Sequence, residues 1–223
     1  MAISALLYSL EGMMCLAVSL KLLGTAWKNR NIIAENFVRL FFFLALAFLS
    51  WGIPSLLFPQ NSFLLNLFNM IGQSFIFIGF AFGIRSFIIV RFGNILLNFA
   101  SFGTILMGGL VVYFTAGVFG SVVLNKYGVI EWNLHPAALA IFLSDIIIVS
   151  ASLAFEFFHN AVKSSEIRRR SIYLGIGTIF SGLGGGFVIT PAEWQWLLAG
   201  HYLLFLGMAL LCITFFFIPK SKT

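Results

Sequence analysis

Seven apolar stretches of membrane-spanning length, each bounded by charge, Gly or Pro, constrain this chain more than any other feature. Their approximate limits are 2–24, 36–58, 62–85, 93–117, 136–160, 170–190 and 194–217. A run of about 20 apolar residues crosses a bilayer as one α-helix. Backbone groups in hydrocarbon must be satisfied internally, which leaves helices or a closed barrel. Barrel strands are about ten residues long and alternate with period two, and these runs do neither. Charged residues make up only 9% of the chain, against about 25% in soluble domains, so a water-soluble globule is excluded. The expected fold is all-α: a polytopic membrane protein of seven transmembrane helices forming one domain over 1–223. The first span holds Glu11 and lacks a basic leader, so it reads as a retained helix and not as a signal peptide.

Basic residues set the expected orientation. Lys21, Lys28, Arg30, Arg39, Arg85, Arg91, Lys163, Arg168, Arg169, Arg170, Lys220 and Lys222 fall on one side, with Lys126 opposite. That is 12 of the 13 Lys and Arg residues, and the positive-inside rule puts that side in the cytoplasm. The N-terminus is then outside and the C-terminus cytoplasmic, in a plasma or inner membrane. Trp132, Trp194 and Trp196 fall at the outer boundary and Trp27 at the inner one, as an aromatic belt requires. Trp51 lies deeper and is expected between helices. The longest connection, about 118–135, leaves no room for a soluble catalytic or nucleic-acid-binding domain.

Spacing suggests a 3+1+3 parallel repeat. Glu11 and Asp145 each precede a basic connection, Lys28 by 17 residues and Lys163 by 18. Arg39 to Pro59 is 20 residues and Arg170 to Pro191 is 21, with Asn69 and His201 ten residues beyond each proline. The match then fails at Arg85 and Phe217. Coincidence in so apolar a chain is the competing explanation.

Ionisable groups inside a bilayer are costly and so are functional candidates. Steps of three and four put Ser4, Tyr8, Glu11, Cys15 and Ser19 on one face of the first helix, and Asn66, Asn69 and Gln73 on one face of the third. At 1.5 Å per residue, Glu11 and Asp145 lie roughly 14 Å below the outer helix ends, Asn69 and His201 roughly 10 Å, and Gln73 roughly 16 Å. These five are expected to converge on a polar cavity in the outer half as a ligand or proton site. Each has a plainer use: amides bond neighbouring helices, and buried carboxyls pack when protonated. Glu156, His159 and Lys163 are expected to snorkel at the inner boundary. Glu131, His135 and Glu193 belong to the outer rim. Cys15 and Cys212 read as small fillers, and Gly182 with Gly186 as a close helix-packing pair.

Several classes are excluded. The seventh helix has no lysine for a retinal Schiff base. One well-placed intramembrane histidine is too few for a bis-histidine haem, and no nucleophile–base motif is present. No enzyme activity, metal or cofactor is expected. Nucleic acid is not an expected partner either.

The Arg168-Arg169-Arg170 run entering a helix pair with a short cytoplasmic end resembles the seven-helix sensor regions of bacterial histidine kinases. That resemblance implies a ligand- or membrane-sensing module. The seven-helix count and the triplet spacing are also similar to SWEET sugar transporters, although only Pro54 lies well inside a helix. The first expectation is therefore a stand-alone, receptor-like membrane sensor that takes a small ligand and signals to a membrane or cytoplasmic protein partner. The alternatives are a small-solute or proton-coupled transporter and a non-catalytic subunit of a membrane complex.

Overall fold

The computed structural model describes residues 3–93, 97–117, 122–165, 167–190 and 193–217. Pro191, Lys220 and Lys222, used above for the repeat and the charge count, lie outside them. Among the described residues seven helices are long and apolar enough to span a membrane: α1 (Ile3–Asn29), α2 (Ile32–Leu57), α3 (Ser62–Phe92), α4 (Leu97–Gly117), α5 (Pro136–Lys163), α6 (Arg168–Ile189) and α7 (Trp194–Phe217). Several run past the hydropathy limits at the basic end: α1 to residue 29, α3 to 92 and α5 to 163. Apolarity reports how much chain sits in hydrocarbon. Helix persists beyond it because Lys28, Arg91 and Lys163 each occupy a last turn, where a cation offsets the negative helix end. Asn31 and Asn61 cap α2 and α3 by accepting first-turn N–H groups.

Each helix packs on its sequence neighbours, and α7 closes the ring on α1. The wall contacts fix the directions. Cys15 meets Met208 and Tyr8 meets His201, so α1 and α7 run parallel. Phe77 meets Phe142 and Arg91 pairs with Glu156, so α3 and α5 are parallel too. Because α3 touches α5 directly, α4 is displaced to the outside of a six-helix ring. Only 22% of its most apolar stretch is buried, against 39–56% for the other six.

The α6–α7 seam brings two backbones into close approach. A Cβ on Gly184 would lie 2.3 Å from the Leu204 backbone nitrogen, and one on Gly207 would lie 2.5 Å from that of Ser181. Gly182 lies against α5, where a Cβ would come within 2.4 Å of Ser150 Oγ. Gly186 lacks the close approach expected of the pair: a Cβ there would meet Leu143 at 3.6 Å, ordinary contact. The glycines on the tight seam are Gly177 and Gly184, seven residues apart, facing Gly200 and Gly207.

Between α4 and α5 the chain forms a β-hairpin, β1 (Val123–Leu124) and β2 (Ile130–Glu131), paired antiparallel. Asn125 shapes its turn by accepting from the Tyr127 and Val129 N–H groups. Gly128 supplies a φ of 76° that other residues rarely adopt.

Candidate functional site

The hairpin folds inward and closes the ring at the end holding the α1 N-terminus. Ser4 Oγ donates to the Gly128 carbonyl at 3.3 Å and accepts from the Ile130 N–H at 2.9 Å. The Ser4 N–H donates to the same carbonyl at 3.2 Å. Val129 and Ile130 are fully buried. Trp132 is buried as well and is no belt residue: its Nε1–H donates to the Tyr8 hydroxyl at 3.1 Å, and its ring lies 5.1 Å from Trp51. Tyr127 stacks on Trp194 at 4.4 Å, tying the turn to the start of α7. Hairpin and ring thus hold each other through aromatic packing and satisfied backbone groups.

Beneath this plug lies an apolar cleft of about 100 Å³. Tyr8 and Trp51 line its plugged end, and Phe37, Phe157 and Phe215 its opposite end. On α5 the lining runs from Phe142 to Phe157, 15 residues apart, or about 22 Å at helical rise. The cleft is therefore long and narrow, and α4 takes no part in it.

The five candidate residues do not line this cleft. Gln73 is spent on helix contacts, its Nε2 donating to Asn69 Oδ1 at 3.2 Å and its Oε1 accepting from Thr115 of α4 at 3.0 Å, whereas the buried Asn69 Nδ2 has no partner. The Asn69 carbonyl also accepts from Trp51 Nε1 at 3.4 Å. Glu11 and His201 come together around Tyr8. Glu11 stands one turn from it on α1, and the His201 ring meets it edge-on at 4.8 Å. Both are fully buried, and neither the Glu11 oxygens nor the His201 nitrogens have a hydrogen-bond partner. Asp145 is buried on α5, which packs on α3, α4 and α6, whereas α1 packs on α2 and α7. The two carboxyls share no extensive helix interface, because the apolar lining of the ring lies between their walls. The stripe Ser4, Tyr8, Glu11, Cys15 and Ser19 is buried along its whole length; Ser4 and Tyr8 meet the hairpin, Tyr8 and Cys15 meet α7, and Ser19 donates to the Val38 carbonyl of α2.

At the opposite end, Glu156 does not snorkel alone. It is buried and accepts from Arg91 Nε, and the Arg91 guanidinium lies 4.9 Å from the Phe155 ring. Arg170 sits 5.5 Å over Phe215, a cleft residue. Among the described residues no group of three or more His, Cys, Asp or Glu is placed to hold a metal. The chain's geometry defines a seven-helix membrane protein with a plugged apolar core. Comparison with protein-family models, curated proteins and solved structures finds no match.

Sequence reasoning missed the hairpin and, with it, Trp132 and the place of Tyr8. A usable signal was present. Asn125 and Gly128 are turn residues separating the apolar runs Val122–Leu124 and Val129–Ile130.

Proposed function

We propose that the chain is a seven-helix, receptor-like membrane sensor in which the β-hairpin reports the state of the core cleft. The observation that carries this reading is the double role of Tyr8 and Trp51: both line the cleft and both touch Trp132 of the hairpin. An occupant that moves either ring alters the hairpin's anchor. It shifts the population of docked hairpin to the extent that it binds one arrangement better than the other. Tyr8 and Trp51 also belong to α1 and α2, which meet at the basic end of the bundle. Movement of these helices would be read there by a membrane or cytoplasmic protein partner. Ten of the described Lys and Arg residues belong to that end and Lys126 to the other, which supports a cytoplasmic basic face in a plasma or inner membrane.

A solute or proton-coupled transporter is less well supported, because neither Glu11 nor Asp145 lines the cleft. The repeat has mixed support. The ring order α1-α2-α3-α5-α6-α7, with α4 outside, suits a 3+1+3 arrangement. Its register does not: the Glu11/Asp145 and Asn69/His201 alignment maps the Tyr8–His201 contact onto Phe142–Asn69. Phe142 instead meets Phe77, eight residues further on, or about 12 Å.

The test is hydrogen exchange across residues 122–134 in nanodiscs, screened against apolar and polar compounds. A sensor changes hairpin protection with at least one compound, and Tyr8→Phe blunts that response. Invariant protection together with solute flux in proteoliposomes would replace the sensor with a transporter.

A further inference from the structure

We infer that the cleft holds one hydrocarbon chain of an anionic single-chain amphiphile, its head group at Arg170 and its methyl end beneath Trp51. The inference names a ligand class for the cleft and so rests on the sensor reading. Its shape supports a chain. The lining extends over about 22 Å on α5 and encloses about 100 Å³, less than a full chain displaces, so an extended occupant enters by parting the apolar walls. The bilayer supplies such chains, since each leaflet contributes about half of a 30 Å hydrocarbon core.

Charge sets the polarity of the occupant. Phe37, Phe157 and Phe215 at the basic end are partly exposed, whereas Tyr8 and Trp51 at the other end are buried under the hairpin. Arg170 is half-buried over Phe215. The ion pairs among the described residues are Arg39–Glu35 and Arg91–Glu156, and no described carboxylate pairs with Arg170. Arg170 also stands in the first turn of α6, where Ile167 supplies no side-chain cap. The positive helix end adds to the guanidinium there. Carboxylate and phosphate share the chemistry this corner selects.

The test uses the full chain in nanodiscs of neutral phosphatidylcholine, titrated with hexadecanoic acid, hexadecyl phosphate and hexadecanol, each brominated at the methyl end. Bromine quenches a nearby indole, and Trp51 sits at the far end of the cleft. Saturable quenching by the anions is expected. It should weaken in Gly185→Ala and disappear in Gly185→Leu, because a Cβ at Gly185 meets only Ile146, at 3.8 Å, and a longer side chain fills the cleft. Arg170→Gln should weaken both anions about tenfold and leave the alcohol unchanged, the loss of one charge-assisted contact. The relative strength of acid and phosphate separates a fatty acid from a lysophospholipid-type head. Equal quenching in wild type and Gly185→Leu, or in wild type and the milder Gly185→Ala if the leucine variant does not fold, would overturn the chain assignment. An equal loss for acid and alcohol in Arg170→Gln would overturn the head-group assignment. Saturable binding with unchanged hairpin exchange would leave this site standing and remove the sensor reading.

Discussion

Trp132 donates its indole N–H to the hydroxyl of Tyr8 across 3.1 Å, joining a hairpin between α4 and α5 to a ring 124 residues earlier in the chain. Both side chains are buried, Tyr8 completely. A donor left without an acceptor there costs about 1–3 kcal/mol, whereas removing both partners is much milder. Tyr8→Phe and Trp132→Phe should each lower the melting temperature, the second more because the smaller ring also leaves a cavity. The double variant should fall short of the sum of the two. A melting-temperature cycle in detergent checks this; strictly additive losses would mean the bond contributes nothing.

The Arg91–Glu156 pair ties α3 to α5 behind α4. The Arg91 side chain is 27% exposed and that of Glu156 10%, so solvent and headgroups screen part of the interaction. Glu156→Gln should cost about 2 kcal/mol, less than the 3–5 kcal/mol typical of fully buried pairs. Chemical denaturation in mixed micelles measures it. Arg91→Met combined with Glu156→Met should recover most of the loss, because no unpaired charge then remains.

Two adjacent glycines on α6 should respond oppositely to the same added methyl group. Gly184→Ala forces a Cβ to within 2.3 Å of the Leu204 backbone nitrogen, whereas Gly185→Ala meets only Ile146 at 3.8 Å. The first should cost at least 1–3 kcal/mol by overpacking. The second should be neutral or slightly stabilising, since Ala suits a helix better than Gly. Paired thermal melts decide it, and equal melts would mean that the α6–α7 seam is looser than described.

Gln73 bridges Asn69 and Thr115, and so fastens the outlying α4 to α3. Gln73→Leu strands the Thr115 hydroxyl and should cost about 1–3 kcal/mol. The loss should be local, read as faster hydrogen exchange in α4 with little change in α6 and α7. A uniform rise across all helices would show that the bridge supports the whole bundle.

Orientation can be tested by labelling single cysteines in a Cys15→Ser, Cys212→Ser background. Lys126→Cys should react with a membrane-impermeant maleimide in intact cells, and Arg168→Cys only after permeabilisation. The reverse pattern would invert the protein and move the hairpin to the cytoplasmic side.

Much of the fold was legible because the bilayer imposes a one-dimensional rule. A helix must present about 20 apolar residues to cross, so the seven spans, the buried α1 stripe and the interior position of Trp51 follow from spacing alone. Helix ends were less legible, since apolarity marks the hydrocarbon and not the hydrogen-bonded backbone. The candidate site was least legible. Depth along a helix places Glu11, Asn69, Gln73, Asp145 and His201 at similar heights, but it says nothing of which wall each faces. That depends on which helices are neighbours around the ring, and neighbours are chosen by long-range shape: Gly184 against Leu204, Gly72 under Trp51, Phe77 against Phe142. Sequence alone thus determined the number of membrane-length helices and the buried stripe of α1. Tertiary packing decided that α4 stands outside, that Asp145 and Glu11 occupy separate walls, and that Trp132 turns inward onto Tyr8. The reason is that lipid solvates every apolar face almost equally well, so only the fit between side chains, not hydrophobicity, selects one helix arrangement over another.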